Sequence, residues 1–357
     1  MQIDDHLGVF KKRIDGEIEE YFKIKTNEIK SNGNQENILY ITENLKKFIL
    51  SAGKRIRPIL FYFGYIIAGG EKKSDALKTS VAVELIHSYL LIHDDIIDRD
   101  DFRHENHSMH YVCTEYFQKR FSNVDSKHLG TSMAILVGDI SSTYGYEVLT
   151  NSEFSVDLKM KALERMNKII SNTIIGESLD VMLAECTNVK EEKILEMQKY
   201  KTAKYTIEGP LHLGAILAGA DETFLNEISE FAIPMGIAFQ IRDDIIGVFG
   251  NRDKTGKPVG SDLKEGKKTL LIAKALENAN EDDRKFLMSV LGNENIDFEE
   301  IEKARKIIID TGSLKYSEDK AEELISIVKQ KLDLLNISNE EKGFLIGLSD
   351  YIVKRDH

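Results

Sequence analysis

The sequence contains few of the residues that mark disulfide-rich, zinc-binding or membrane-spanning proteins. Its 357 residues include two cysteines, four prolines and no tryptophan. Because Cys113 and Cys186 show no paired spacing, neither a disulfide framework nor a zinc site is indicated. The longest apolar stretch, Pro58–Gly70, is too short to span a bilayer. The first residues, Met1–Asp5, are acidic and lack a signal-peptide core, so the sequence predicts a cytoplasmic protein without stable membrane insertion.

Positive charge is scarce relative to negative charge. Lysine and arginine number 48 against 60 aspartates and glutamates, which gives a formal net charge of -12 at pH 7. Nucleic acid is therefore not expected as the main partner, because a phosphate backbone requires a basic protein surface. Small ligands that carry phosphate remain compatible with this balance, since a bound metal can supply the positive charge.

Alternating strand patterns are absent, and apolar residues recur at helical spacing along almost the whole chain. Pro58 suits the first turn of a helix that ends at Gly69-Gly70, and Asp221 is the expected cap of a later helix. Ser74 or Asp75 is expected to cap the helix that leads to the first acidic cluster. No linker or composition shift divides the chain. The sequence therefore predicts an all-α protein with a single domain over residues 1–357.

The most informative stretch is Glu84–His110. In it, the acidic cluster Asp94-Asp95-Ile96-Ile97-Asp98 closes a long apolar run. On a helix, Asp94 and Asp98 lie one turn apart on the same face, where like charges repel. A hard divalent cation, which prefers carboxylate oxygens, would relieve that repulsion. A solvated helix end is the alternative interpretation of one such cluster taken alone.

A second stretch, Phe239–Gly247, repeats this pattern of an apolar helix followed by paired aspartates and two isoleucines. Two acid clusters that face one another would form a multi-metal site of the kind that binds polyphosphate. The next segment, Gly250–Lys268, carries four glycines and five lysines, which suits contact with phosphate oxygens. It lacks the sequence of a nucleotide-binding P-loop. Another charged segment, Phe117–Thr131, is expected to be a polar loop without evident chemistry.

Seven motifs in order along the chain resemble those of the trans-isoprenyl diphosphate synthases, also called polyprenyl synthetases, and most closely the archaeal-type geranylgeranyl diphosphate synthases. This resemblance implies an isoprenoid-synthase-like helical bundle around a central cavity. The motifs are Gly53–Pro58, Glu84–Asp98, Ala134–Asp139, Lys201–Ala203, Phe239–Asp244, Thr255–Asp262 and Glu265–Leu270.

The resemblance also implies a role for individual residues. Asp94, Asp98 and Asp243 would be ligands of a trio of magnesium ions, and Asp95 and Asp244 would support them. The implied catalytic residues are Asp94, Asp95, Asp98, Lys201, Asp243 and Lys257. The allylic diphosphate would be held by Arg103, Lys201, Thr202, Gln240, Lys257 and Lys267. The diphosphate of isopentenyl diphosphate would be held by Lys54, Arg57, His87 and the residue at position 104.

The implied reaction is the magnesium-dependent head-to-tail condensation of isopentenyl diphosphate with an allylic diphosphate. The allylic C–O bond ionises, and the metal ions and lysines stabilise the departing pyrophosphate. Tyr89, five residues before Asp94, resembles the bulky residue that closes the chain-elongation pocket in enzymes that make geranylgeranyl diphosphate. A farnesyl or longer-chain product is the alternative. The family also implies a homodimer.

Two positions depart from the family pattern. The family's second arginine after the first aspartates is His104 here, and the last acid of the downstream motif is Gly247. Since histidine lacks the guanidinium fork and is only partly charged near neutrality, we expect weaker binding of isopentenyl diphosphate. The departure at His104 also leaves open a non-catalytic subunit of a heteromeric synthase. A class I terpene cyclase would need a different metal motif in place of Asp243-Asp244.

Overall fold

The computed structural model describes residues 3–33, 36–51, 53–103, 106–186, 189–250 and 260–354. Nearly all of these residues lie in helices, so the all-α prediction is confirmed. The backbone divides into two compact units, one of residues 1–163 and 213–219 and the other of residues 164–212 and 220–357. The single domain expected from the sequence stays a prediction, and each unit is described below by itself.

The first unit is built from long helices whose apolar faces supply its core. Phe22, Phe61 and Leu85 are completely buried in it. Its elements are α1 (Ile3–Ser31), α2 (Glu36–Ser51), α3 (Ile56–Ile67), α4 (Lys73–Thr79), α5 (Val81–Ile97), β1 (Phe102–Arg103), β2 (Asn106–His107), α6 (Met109–Arg120) and α7 (Ser126–Thr150).

The second unit has its own core, in which Ile228, Phe231 and Met235 are completely buried. Two helices, α8 (Val156–Ala184) and α10 (Gly209–Leu217), have residues in both units. The remaining elements are α9 (Glu191–Gln198), a π-helical segment (Lys199–Glu208), α11 (Glu222–Phe249), α12 (Ser261–Glu265), α13 (Leu270–Asn278), α14 (Glu281–Val290), α15 (Phe298–Asp310), α16 (Ser313–Leu334) and α17 (Asn339–Lys354).

Helix α5 is held in place by α7 through polar as well as apolar contacts. Ser141 on α7 donates a hydrogen bond to the carbonyl of Leu85 over 2.8 Å, with both groups buried. Farther along α5, Nε2 of His93 lies 3.2 Å from the carbonyl oxygen of Ile135. Because these contacts cover most of its length, α5 gives its C-terminal aspartates a fixed position.

The local structure differs from the sequence expectations at three places. A separate helix, α4, precedes α5, and the chain turns between them at the buried Ser80, so Ser74 and Asp75 do not cap α5. The prediction of a polar loop over Phe117–Thr131 is wrong, since α6 continues to Arg120 and α7 begins at Ser126. An antiparallel hairpin of two strands, β1 and β2, with two residues each, follows α5, where no strand was expected.

The predicted cap at Asp221 is confirmed. Its side chain accepts a hydrogen bond from the backbone N–H of Phe224 over 2.9 Å and so begins α11. Within the residues that the structure describes, none of the helices has the length and apolar character needed to cross a membrane.

Candidate active site

The C-terminal end of α5 brings two predicted metal ligands together. The backbone N–H of Asp98 donates to the carbonyl of Asp94 over 2.8 Å, which holds Asp98 as the C-terminal cap directly after the last turn of the helix. One carboxylate oxygen of each side chain lies within 4.8 Å of the other. Both residues are half-buried. Two like charges held this closely favour a divalent cation between or beside them, and this cluster fits one.

Asp95 differs from these two aspartates because it is completely buried. Its Oδ1 accepts hydrogen bonds from Nε of Arg103 over 2.6 Å and pairs with Nη2 over 2.5 Å, and the same Nη2 lies 3.2 Å from Oδ2 of Asp94. Burial raises the pKa of Asp95 to about 6, against the opposing effect of the Arg103 guanidinium. Arg103 therefore ties the β1–β2 hairpin to the acidic end of α5.

Two predicted ligands of isopentenyl diphosphate contact each other in the first unit. Nη1 of Arg57 lies 3.0 Å from Nε2 of His87. Since an arginine can only donate, Nε2 of His87 is the acceptor in this contact. His87 and Arg103 line a cavity of about 290 Å³ together with Lys47 and His107. Lys54 precedes α3 and is half-buried.

Arg55, within the same basic motif, has a structural role. It is 3% exposed, and its guanidinium donates to Asp15 over 2.7 Å and to Glu84 over 2.7 Å. A third donor reaches the carbonyl of Ile49 over 2.6 Å. These partners hold its backbone in the left-handed region, with φ of 57°. The turn that presents Lys54 and Arg57 is thereby attached to α1, α2 and α5.

The second aspartate pair lies on α11, where Asp244 is held by two amide side chains. Nε2 of Gln240 donates to its Oδ1 over 2.7 Å, and Nε2 of Gln198 donates to its Oδ2 over 2.9 Å. Burial, together with the nearby Asp262, raises the pKa of Asp244 well above its usual value. Asp243, the neighbouring predicted ligand, is half-buried. Asp244 therefore orients the end of α11 from the interior.

Thr202 joins this network from the π-helical segment. Its hydroxyl donates to Oε1 of Gln240 over 2.5 Å, so the Gln240 amide contacts Thr202 and Asp244 at once. Lys201, the preceding residue, pairs with Asp180 over 2.5 Å and with Glu177 over 2.9 Å, both on α8. Thus the structure joins Thr202, Gln240 and Asp244 in one chain of hydrogen bonds and places Lys201 against two acids.

Gly247, the second departure from the family pattern, has a steric cause. A Cβ at this position would lie 2.2 Å from Oδ2 of Asp262, which is itself buried. Any side chain at position 247 would displace that carboxylate. Asp262, from a motif 15 residues later in the sequence, therefore fills the space beside α11 that an acid at position 247 would need.

The remaining predicted site residues are placed less completely. Lys267 follows α12 and forms an ion pair with Glu265. Tyr89 lies on α5 with its ring 4.8 Å from that of His93. His104 and Lys257 fall outside the described residues.

Sequence reasoning missed several residues that the structure brings to the site. Glu177 and Asp180 pair with Lys201, and Gln198 holds Asp244. Glu177 and Asp180 are three residues apart on α8, a spacing that places both on one helix face and could have revealed them. His107, on the hairpin, lines the cavity beside His87. Its Nδ1 is buried and has no hydrogen-bond partner within the described part of the chain.

An all-α fold that presents aspartates at the end of one buried helix and a second aspartate pair on another defines a class of metal-dependent enzymes acting on diphosphates. The sequence comparison identifies which one. The chain belongs to the polyprenyl synthetase family, whose model matches residues 39–308, and it is a prenyltransferase.

Individual relatives agree with this assignment over most of the chain. A geranylgeranyl diphosphate synthase of Saccharolobus solfataricus is 32% identical over 92% of this chain and 96% of its own length. A short chain isoprenyl diphosphate synthase of Methanothermobacter thermautotrophicus is 33% identical over 90% and 91%. A solved geranylgeranyl pyrophosphate synthase from Corynebacterium glutamicum, complexed with isoprenyl diphosphate and magnesium, superposes with a TM-score of 0.92 at 29% identity, covering 99% of this chain and all of that one.

Proposed function

We propose that this chain catalyses the magnesium-dependent head-to-tail condensation of isopentenyl diphosphate with allylic diphosphates, with geranylgeranyl diphosphate as the main product. The observation that carries the proposal is the arrangement on α5. His87, in contact with Arg57, and the Asp94–Asp98 pair lie on this one helix. Since seven residues make about two helical turns, one helix face serves two diphosphates.

Magnesium suits the carboxylates because it uses a few acidic ligands together with substrate phosphates. We propose that Asp94, Asp98 and Asp243 hold three magnesium ions, as the family motifs imply. Bound magnesium supplies positive charge that stabilises the departing pyrophosphate. The relative from Corynebacterium glutamicum was solved with magnesium and isoprenyl diphosphate, which supports this choice of metal.

The protein's own side chains bind and orient the two substrates. Lys201, Lys257 and Lys267 are proposed to bind the allylic diphosphate, with Thr202 and Gln240 held ready by their mutual hydrogen bond. Cations directed at the leaving group stabilise the transition state more than the ground state, because negative charge grows there as the C–O bond breaks.

Lys54, Arg57 and His87 are proposed to bind isopentenyl diphosphate. Its double bond attacks the allylic cation, a new C–C bond forms, and a proton passes to the released pyrophosphate, as in the family. The contact between Arg57 and Nε2 of His87 holds these two side chains together at 3.0 Å.

The decisive experiment is turnover by the purified protein alone. Isopentenyl diphosphate is incubated with each allylic primer in magnesium or in EDTA, and product length is read by mass spectrometry. We expect geranylgeranyl diphosphate only with magnesium, and a loss of about a hundredfold or more in kcat for Asp94→Asn. Asp157→Asn, an exposed aspartate at the start of α8, is the matched control and should leave kcat unchanged.

Other outcomes identify the alternatives. A farnesyl or longer product would correct the product assignment and leave the reaction type intact. Absence of turnover with every primer would contradict the proposal and favour a non-catalytic subunit, to which the departure at His104 points. The cytoplasmic location and the homodimer expected from the sequence stay predictions.

A further inference from the structure

A second cavity lies wholly within the second unit and contains none of the residues assigned to the reaction. It has a volume of about 190 Å³ and is bordered by α8, the end of the π-helical segment, the start of α10 and the first turns of α11. Its lining is strongly polar. Its charged and hydrogen-bonding residues include Arg165, Lys168, Lys204, Glu208, His212 and Ser229.

Arg165 is fixed at this cavity by a buried histidine. His212 is 2% exposed, and its Nδ1 lies 3.1 Å from Nη1 of Arg165. Because arginine can only donate, Nδ1 accepts, and Nε2–H donates to the carbonyl of Leu225 over 2.9 Å. Burial lowers the pKa of His212 to about 4, so it is neutral near pH 7. His212 therefore orients the guanidinium without cancelling its charge.

Lys204 brings a second cation to the same cavity. Its side chain is half-buried, with the ammonium 5.1 Å from the centre of the Tyr200 ring. Burial lowers the pKa of Lys204, and the positive charges of Lys199, Lys168 and Arg165 lower it further against the effect of Glu208. Several cations thus converge on a partly desolvated place, although the chain as a whole is acidic.

The acids around the cavity compensate these cations only in part. Glu208 accepts a hydrogen bond from the Ser229 hydroxyl over 2.6 Å. Glu222 reaches Nη2 of Arg165 at 3.5 Å, but its side chain is 79% exposed. An ion pair so open to water contributes little. Three cations against these two acids leave a local positive excess, which an anion in the cavity would neutralise.

We propose that this cavity binds a small, multiply charged oxyanion of the phosphate class, held by Arg165, Lys168 and Lys204. The planar guanidinium fork of Arg165 suits two oxygens of one such group, and the lysines supply point charge. A prenyl chain does not suit the cavity, because its polar lining would lose hydration without gaining apolar contacts.

This cavity is distinct from the place where Lys201 meets its acids. Arg165 and Glu177 are 12 residues apart on α8, which corresponds to about 18 Å along a helix. The two lysines, Lys201 and Lys204, are nevertheless neighbours in the same π-helical segment. An anion bound to Lys204 would therefore contact the same segment that carries Lys201.

The test measures the reactivity of individual lysines in the full-length protein. A neutral acetylating ester is applied in EDTA, with inorganic phosphate, inorganic pyrophosphate or chloride, and each lysine is quantified by peptide mass spectrometry. Saturating oxyanion should lower acetylation of Lys204 by about tenfold, since a rise of one pKa unit lowers the reactive amine fraction that much. Lys193 and Lys285, exposed on α9 and α14, should not change.

Variants decide whether protection comes from this cavity. Arg165→Gln should abolish protection of Lys204, and Lys168→Gln, an exposed position, should weaken it without affecting folding. Arg13→Gln, an exposed arginine on α1, is the control and should retain it. Protection by phosphate, by pyrophosphate or by both supports the site and identifies its preferred oxyanion. Equal acetylation of Lys204 in all three solutions, or protection that survives both cavity variants, overturns the proposal.

Discussion

At the scale of single residues, the hairpin after α5 contains an imidazole that lines the cavity beside His87. The ring of His107 stacks on that of Tyr111, with centroids 4.0 Å apart and planes inclined by 5°. The ring of Phe102 lies 4.6 Å from it on the hairpin. These contacts fix the imidazole while its Nδ1 stays without a hydrogen-bond partner in the described part of the chain. We infer that Nδ1 is available to the diphosphate of isopentenyl diphosphate.

His107→Phe keeps the stacked ring and removes the nitrogen. We expect the KM for isopentenyl diphosphate to rise about tenfold, as for the loss of one hydrogen bond to a charged group, with kcat little changed. Steady-state kinetics with a saturating allylic primer measure this. His128→Phe, at an exposed position on α7, is the control. An unchanged KM would remove His107 from the binding site.

His104 stands where the family has an arginine, and restoring that arginine gives the opposite prediction. His104→Arg should lower the KM for isopentenyl diphosphate several-fold, because a guanidinium is always charged and binds two phosphate oxygens at once. The KM for the allylic primer serves as the internal control and should stay constant. If the KM for isopentenyl diphosphate does not fall, weak binding at position 104 is not a property of this chain.

Tyr89 is the residue on which product length is expected to depend. Its ring meets that of His93 at 4.8 Å and 70°, and burial raises the pKa of the Tyr89 hydroxyl. Tyr89→Ala removes this ring beside His93 and should lengthen the products by at least one isoprene unit. Tyr116→Ala, on α6, should leave the product distribution unchanged. The same distribution for both variants would show that Tyr89 does not limit chain growth.

At the scale of elements, the π-helical segment Lys199–Glu208 is packed closely on both sides. A Cβ at Gly176 of α8 would lie 2.2 Å from the backbone nitrogen of Lys201. On the other side, a Cβ at Gly236 of α11 would lie 2.4 Å from Cα of Ala203. Wider helical turns of this type are frequent at functional sites. Here they carry Lys201 and Thr202, and the two glycines permit the close approach.

Gly176→Ala tests this packing. The added methyl group meets backbone that cannot move freely, so we expect a loss of about 1–3 kcal/mol in the free energy of unfolding and a lower kcat from displaced Lys201. Gly343→Ala, on α17, has no atoms within 4 Å of its added Cβ and should stabilise by up to about 1 kcal/mol. Urea unfolding and kinetics measure both. Equal stability of the two variants would contradict the close packing.

Helical periodicity predicted most elements, because burial of an apolar face determines where a long helix forms. Asp221 and Pro58 also act as their local chemistry predicts. The π-helical segment could not be foreseen, since its apolar spacing resembles that of an α-helix and its wider turns follow from packing against Gly176 and Gly236. Over Phe117–Thr131 the sequence predicts a loop because the helices there are half-exposed and rich in charge, which hides their apolar spacing.

The motifs predicted the polar residues of the candidate site more successfully than the hydrogen-bond and ion-pair partners of those residues. Asp94 and Asp98 are neighbours, as their spacing required. Arg103, however, contacts Asp95 through a hairpin that has too few residues for a strand pattern. Likewise, the pairing of Asp244 with Gln198 joins residues 46 positions apart. Such contacts depend on how helices pack, which residue spacing within one helix does not contain.

At the scale of the whole molecule, stability should depend on pH through His212. Burial lowers its pKa to about 4 in the folded protein, against an ordinary value of 6.5. The folded protein thus binds this proton more weakly than the unfolded chain does. The neutral form of His212 therefore contributes its full stabilisation to the free energy of unfolding above pH 6.5, and this stabilisation is lost as the pH falls toward 4. The loss amounts to at most about 3 kcal/mol.

His212→Gln removes the titrating group and should flatten this part of the pH profile, although the variant is less stable at pH 7 through the lost contact with Arg165. Urea unfolding at pH 7, 5 and 4 measures the effect. His128→Gln, at an exposed position, should keep the wild-type profile, including the contribution of the carboxylates. A His212→Gln profile as steep as that of the wild type would contradict the assignment.

The π-helical segment also determines how this part of the chain responds to the deletion of a residue. Each π turn holds more residues than an α turn, so the segment contains surplus chain. Deleting one residue there would remove that surplus and let the segment close toward ordinary α turns, so that α10 keeps about its present direction. Deleting one residue from a regular helix such as α11 would instead rotate every later residue of that helix by about 100°. A single deletion should therefore be tolerated better in the π-helical segment than in the regular helices around it.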